Sequence, residues 1–136
     1  MTNPNSILIV DDSPDDIFIA KRAILKCRVD CLVEAVSNGH QAMALLVNNK
    51  PPALVLLDLK MPEIGGIGIL RFIRTREQLR YLPVVMLSSS KMEEDIKASY
   101  DAGANGYLHK GFDLSEFAEK LKTTLHYWID FNLSPN

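Results

Sequence analysis

The chain has 136 residues, 47% of them hydrophobic, which is the size and apolar content of one domain with a core of its own. Lysine and arginine number 15 against 17 aspartate and glutamate, a net charge of -2, so no global field draws the chain to nucleic acid or to an anionic membrane. No stretch approaches the roughly 20 apolar residues of a membrane helix, and the polar opening 1–6 has no secretory pattern, so a cytoplasmic protein is expected.

Residues 7–10 are a short apolar run that stops at Asp11-Asp12-Ser13-Pro14, where Ser13 can cap a helix and Pro14 suits its first position. From 17 to 25 apolar residues recur at helical spacing, with Ile17, Ala20, Ala23 and Ile24 on one face and Lys21, Arg22 and Lys26 off it. Cys27 and Cys31 flank the turn to a second strand over 31–36, and without a neighbouring histidine or a second cysteine pair they read as two reduced, partly buried thiols, a disulfide being the lesser alternative. Asn38 with Gln41 resembles a capping box before a short helix over 42–47.

Pro51 and Pro52 punctuate the chain before the apolar run 54–57, which ends on Asp58 and continues as Leu59-Lys60-Met61-Pro62. Gly65 and Gly66 mark a loop before a helix over 67–76, and 84–87 is a fourth apolar run. Ser90 with Glu93 predicts a capped helix to about 102, stopped by Gly103, and 106–108 is a brief fifth strand. Asp113 with Glu116 can cap a last helix carrying Leu114, Phe117, Leu121, Leu125 and Trp128 at spacings of three and four.

Strands alternating with helices imply an α/β fold, a parallel sheet with helices on both faces. Ligands of such sheets bind at the carboxyl ends of the strands. Asp11 and Asp12 after the first strand, Asp58 after the third, Ser88 after the fourth and Lys110 after the fifth therefore share one edge. Three carboxylates in one crevice repel one another unless a cation compensates, and oxygen-only ligands favour Mg²⁺ or Ca²⁺ over zinc. A cage with few protein oxygens suits Mg²⁺, which keeps several waters. With metal in place Asp58 can attack phosphorus, while Lys110 and Ser88 stabilise the phosphoryl oxygens, so phosphoryl transfer is the expected chemistry.

Asp11-Asp12, Asp58 followed by Met61-Pro62, Ser88, Tyr107 and Lys110 together resemble the receiver domains of two-component response regulators, over nearly the whole chain. The Asp12-Ser13-Pro14-Asp15-Asp16 opening and the aromatic end resemble the single-domain regulators that partner bacteriophytochromes and related sensor kinases. The resemblance implies a flavodoxin-like receiver fold with strand order 2-1-3-4-5, one domain over 1–136 with an extended last helix, and no output domain. It implies Asp58 as phosphoacceptor and metal ligand, Asp12 as a direct ligand of Mg²⁺ or Mn²⁺, Asp11 acting largely through water, and the Lys60 carbonyl as a backbone ligand. It further implies Ser88 as switch hydroxyl, Tyr107 as switch aromatic, and a histidine kinase or phosphotransfer protein as donor. Two departures stand out. Lys110 precedes Gly111 where the family usually has a proline in a cis peptide, so a trans bond and a looser loop are expected here. Gly65 replaces an aspartate common before Gly66.

Blander readings exist for each residue: Asp58 alone would be a turn cap, Lys110 a surface lysine, Tyr107 a half-buried strand aromatic. Ser90 is assigned to the cap rather than to chemistry. His40, His109 and His126 show no mutual metal spacing, and the Arg71, Arg74, Arg76 and Arg80 series reads as a solvated face. Tyr127, Trp128, Ile129 and Phe131 extend the last helix beyond what the sheet needs; either they mark a homodimer interface or Trp128 folds back on the core.

Three other functions compete with phosphorelay. A haloacid-dehalogenase-like phosphatase would show a second aspartate where Lys60 stands. A flavodoxin-like nucleotide binder needs hydroxyls and glycine where Asp11-Asp12 would repel phosphate. The third is a receiver-shaped interaction module that is never phosphorylated, against which Asp58, Asp12 and Lys110 argue.

Overall fold

The structure is a computed structural model that describes residues 3–111 and 113–135; Met1, Thr2, Phe112 and Asn136, the two ends of the expected domain among them, lie outside the described residues. Strands β1 (Asn3–Val10), β2 (Leu32–Val36), β3 (Pro52–Asp58), β4 (Val84–Ser88) and β5 (Gly106–His109) alternate with helices α1 (Pro14–Lys26), α2 (Gly39–Asn48), α3 (Gly66–Thr75), α4 (Glu93–Asp101) and α5 (Leu114–Leu125). The five strands form one sheet in the order β2-β1-β3-β4-β5, every pairing parallel, as expected.

Period-two alternation divides the central strands between two cores. Leu8, Val10, Val55, Leu57, Val84 and Met86 face α2 and α3, where Ala42, Leu46, Ile69, Leu70 and Ile73 are buried. Ile7, Ile9, Leu54, Leu56, Val85 and Leu87 face α1 and α5, where Ala20, Ala23, Ile24, Phe117, Leu121 and Leu125 are buried. Burial on both faces is why these strands read as unbroken apolar runs.

The helix starts follow the sequence in part. Ser13 Oγ accepts the Asp16 N–H at 3.2 Å and Pro14 opens α1, as expected. Asn38 Oδ1 accepts the Gln41 N–H at 2.9 Å, but Gln41 Oε1 returns to the Ser37 N–H at 3.2 Å rather than to Asn38. Asp113 Oδ1 accepts from the Ser115 and Glu116 N–H groups, while the Glu116 carboxylate pairs instead with Lys120 at 3.2 Å. The Ser90–Glu93 capping box does not form. Met92 is the N-cap of α4, with no side-chain cap, because the Ser90 hydroxyl donates to Asp95 Oδ2 at 2.5 Å and accepts the Met92 N–H. Cys27 and Cys31 are free thiols, as expected.

Arg74 is not part of a solvated face: its guanidinium donates to the carbonyls of Gly103 (2.9 Å), Arg80 (3.1 Å) and Leu82 (2.7 Å) and to Asn105 Oδ1 (2.8 Å). It thereby ties the end of α3 to the loops around β4 and β5. Arg74→Ala is expected to lower stability by about 2 kcal/mol in urea denaturation, because several carbonyls would lose their partner. Arg74→Lys should recover little, since an ammonium cannot serve that fork of acceptors.

Beyond α5 the chain continues as a π-helical stretch, His126–Phe131. The expectation that Trp128 folds back on the core is met in part. Trp128 and Ile129 are half-buried against the α1/α5 core, while Tyr127 and Phe131 remain 50% and 70% exposed. Leu114 is exposed at the start of α5 and does not join the buried stripe. Among the described residues no helix is long and apolar enough to cross a membrane.

Candidate phosphoryl-transfer site

Strand register sets the site. Val10 pairs with Leu57, so Asp11 stands level with Asp58; Asp58 pairs with Leu87, which leaves Ser88 one step further out; Ser88 pairs with His109, and Lys110 follows. Four consecutive strand ends of the sheet thus deliver Asp11, Asp58, Ser88 and Lys110 to one edge. Directly beneath Asp58 the chain turns into α3: the Gly66 N–H donates to the Leu59 carbonyl at 2.9 Å, and a Cβ on Gly66 would be driven into the Asp58 carbonyl oxygen. Only glycine lets the helix begin this close to the strand. Gly65, the N-cap, offers no side-chain cap, which is the visible consequence of lacking the aspartate.

Asp11 and Asp58 are buried and Asp12 is exposed. One carboxylate oxygen from each of the three can be chosen so that all lie within 4.8 Å of one another. The Lys110 ammonium reaches Asp16 Oδ2 at 2.8 Å, Asp11 Oδ2 at 2.9 Å and Asp58 Oδ1 at 3.4 Å. Asp16, in the first turn of α1, is a member of the site that the strand-end argument does not name.

Burial pushes the Asp58 carboxyl up to about 6 from an ordinary 3.8; Lys110 draws it down, and the charges of Asp11 and Asp12 push it up again. For Lys110 burial alone would favour the neutral amine, but hydrogen bonds to Asp11 and Asp16 and the charge of Asp58 outweigh it and raise the ammonium above its usual range. The cluster therefore holds more acid than one lysine neutralises. Its oxygen-only donors and three carboxylates fit a hard divalent cation such as Mg²⁺ or Mn²⁺.

Ser88 is buried, and its Oγ accepts the Ser90 N–H at 3.1 Å. Tyr107 is half-buried, and its hydroxyl donates to the Ser90 carbonyl at 2.9 Å. Lys60 turns its ammonium to Asp95 at 3.3 Å, the carboxylate that also receives the Ser90 hydroxyl. A continuous hydrogen-bonded route thus joins the loop after Asp58, the start of α4, Ser88 and Tyr107. The three histidines lie apart: His40 beside Glu63 (3.5 Å), His109 on the Ser89 carbonyl (3.1 Å), His126 on Asp130 (2.7 Å).

No cis peptide bond occurs among the described residues, so Lys110–Gly111 is trans, as expected. Gly111 has φ +66°, a left-handed conformation closed to proline, whose φ is fixed near −65°. Gly111→Pro is expected to cost about 1–2 kcal/mol in thermal or urea unfolding and to pull Lys110 off its carboxylates.

The sequence profile of the response regulator receiver domain matches residues 7–122. Response regulator Rcp1 of Synechocystis sp. is 31% identical over 133 residues, covering 93% of this chain and 90% of that protein. The crystal structure of the phosphorylated cyanobacterial phytochrome response regulator RcpA superposes with a TM-score of 0.89 at 33% identity, covering 97% of this chain and 99% of that one. The Mn²⁺-bound form of Rcp1 gives 0.87 at 30% identity, covering 98% of this chain and 100% of that one. The bacteriophytochrome response regulator AtBRR gives 0.74 at 30% identity, covering 97% and 98%.

Proposed function

The chain belongs to the response regulator receiver family, and we propose that within phosphorelay signalling it takes a phosphoryl group from a histidine kinase onto Asp58 with Mg²⁺ held by Asp12, Asp58 and the Lys60 carbonyl and by Asp11 largely through water. The observation that carries this reading is the placing of Asp58 with Asp11 and Asp12 inside 4.8 Å, with Lys110 beside them. An Asp58 oxygen attacks phosphorus, the bond from phosphorus to the donor nitrogen breaks, and the imidazole leaves with that electron pair. A bound divalent cation would draw charge from the phosphoryl oxygens during transfer. Lys110 is within reach of the same oxygens, and Ser88 offers a hydroxyl one step out along β4. Catalysis is confined to gain and loss of phosphate at Asp58.

New charge on Asp58 biases the route through Ser88, Ser90 and Tyr107 toward a second arrangement and so changes the surface around α4 and β5. The similarity to phytochrome response regulators supports a bacteriophytochrome as the kinase. The exposed Tyr127 and Phe131 support a homodimer through α5 and its extension, which sedimentation as a monomer at micromolar concentration would overturn. An unphosphorylated interaction module is the weaker reading, because it gives no reason for a carboxylate held up to about 6 among other acids.

Incubation with Mg²⁺ and acetyl phosphate is expected to add the mass of one phosphoryl group to the native protein and none to Asp58→Asn. Absence of an adduct on the native protein would sink the reading.

A further inference from the structure

The shortest ion pair in the site joins Lys110 to Asp16, a residue of α1 outside the three-carboxylate cluster. Asp16 sits in the first helical turn, its backbone N–H fixed at 3.2 Å by the Ser13 hydroxyl, and its side chain is 39% exposed. Lys110 is only 16% exposed and follows the end of β5, with the left-handed Gly111 immediately after it. Of its three partners Asp58 is the most distant, at 3.4 Å against 2.8 Å for Asp16 and 2.9 Å for Asp11.

That spacing has a chemical meaning. An ammonium settled on Asp58 would occupy the oxygens that a divalent cation must reach and would oppose the cation by like charge. An acceptor on α1 gives the ammonium a second seat, close enough to remain over the crevice yet off the nucleophile. We propose that Asp16 is a positioning residue that tethers Lys110 toward α1 and so keeps Asp58 open to the metal. This inference rests on the phosphoryl-transfer reading of the site. It assigns Asp16 no direct contact with metal or phosphate.

The test is Mg²⁺ affinity, measured by calorimetric titration of the full chain without any phosphodonor. Asp16→Asn keeps the shape of the first turn and removes the charge. It is expected to weaken Mg²⁺ binding about tenfold, within the range of ordinary coupling between sites. In a Lys110→Gln background the same change should weaken it less than about twofold, because only the loss of a distant, partly solvated charge remains. Asp16→Glu, which restores a carboxylate without touching Lys110, should return the affinity to within about threefold of the native value.

Equal losses in both backgrounds, or no loss in the native one, would overturn the tether and leave the metal site standing. A native protein that binds no Mg²⁺ would overturn the reading of the site itself, and the tether with it.

Discussion

Replacing Lys110 by methionine is expected to destabilise the metal-free protein by about 3–5 kcal/mol at neutral pH, the cost of breaking a buried ion pair by removing one partner. Asp11 and Asp58 have side chains only 5% and 11% exposed, and Lys110 is the cation that reaches both. Methionine keeps the stem and its packing, so the loss reports charge rather than volume. Without the ammonium, the carboxyls must take up protons to relieve their repulsion, so the deficit should shrink as pH falls. Saturating Mg²⁺ should also recover part of it, since a cation bound to the folded state alone stabilises by mass action. At the alkaline end the sign follows from the raised ammonium. Its contribution is complete below the unfolded value near 10.5 and is lost as pH climbs through the higher native one. Urea midpoints for both proteins in EDTA and in Mg²⁺ measure all of this. Equal stability of the two proteins in EDTA would contradict the account.

Asp58→Asn carries the second large effect, with the opposite sign. A carboxyl raised from 3.8 to about 6 by burial is a charge the native state holds at a penalty. Below about 4 the native and unfolded carboxyls are both protonated and there is no penalty; it grows between 4 and 6 and is complete above 6. The shift converts to about 2–3 kcal/mol at neutral pH. The Asn variant should therefore be more stable than the native protein by about that amount at pH 7 in EDTA, and the two should converge by pH 4. Mg²⁺ should narrow the gap at pH 7, because it stabilises the carboxylate and not the amide. A variant less stable than native at pH 7, with no dependence on pH, would show that Asp58 is not a strained charge. A divalent cation bound at these carboxylates would relieve that repulsion and so stabilise the fold.

The fold was legible because the helices and strands obey local rules. Unbroken apolar runs such as residues 54–57 are buried on both faces, and Ser13-Pro14 and Gly103 end or begin elements where their backbone chemistry demands. The candidate site was legible to the extent that parallel strands bring their carboxyl ends together, which names Asp11, Asp58, Ser88 and Lys110 without any view of their contacts. Asp16 escaped because it lies on a helix rather than at a strand end. An acid in a first helical turn already has an explanation in the helix dipole. Its position four residues beyond Asp12, in the first turn of the helix that follows it, is the signal that could have found it.

Ser90 and Arg74 were misread for one shared reason. Each side chain has one role that spacing suggests and another partner that the same spacing does not reveal: Asp95 for Ser90, and the carbonyls of Arg80, Leu82 and Gly103 for Arg74. Gly111 changes meaning in the same way. As a bare departure from a proline it suggested a looser loop, but it takes a left-handed backbone directly after a Lys110 held by three carboxylates.

Asp58, among the several acids at this edge, is the one proposed to receive the phosphoryl group. Reduction of the acetyl phosphate-treated protein with borohydride converts an aspartyl phosphate to homoserine, and peptide mapping then reads its position. Homoserine is expected at Asp58 alone, formed only when Mg²⁺ is present and absent from Asp58→Asn. Homoserine at Asp11, Asp12 or Asp16, or equal labelling in EDTA, would contradict it.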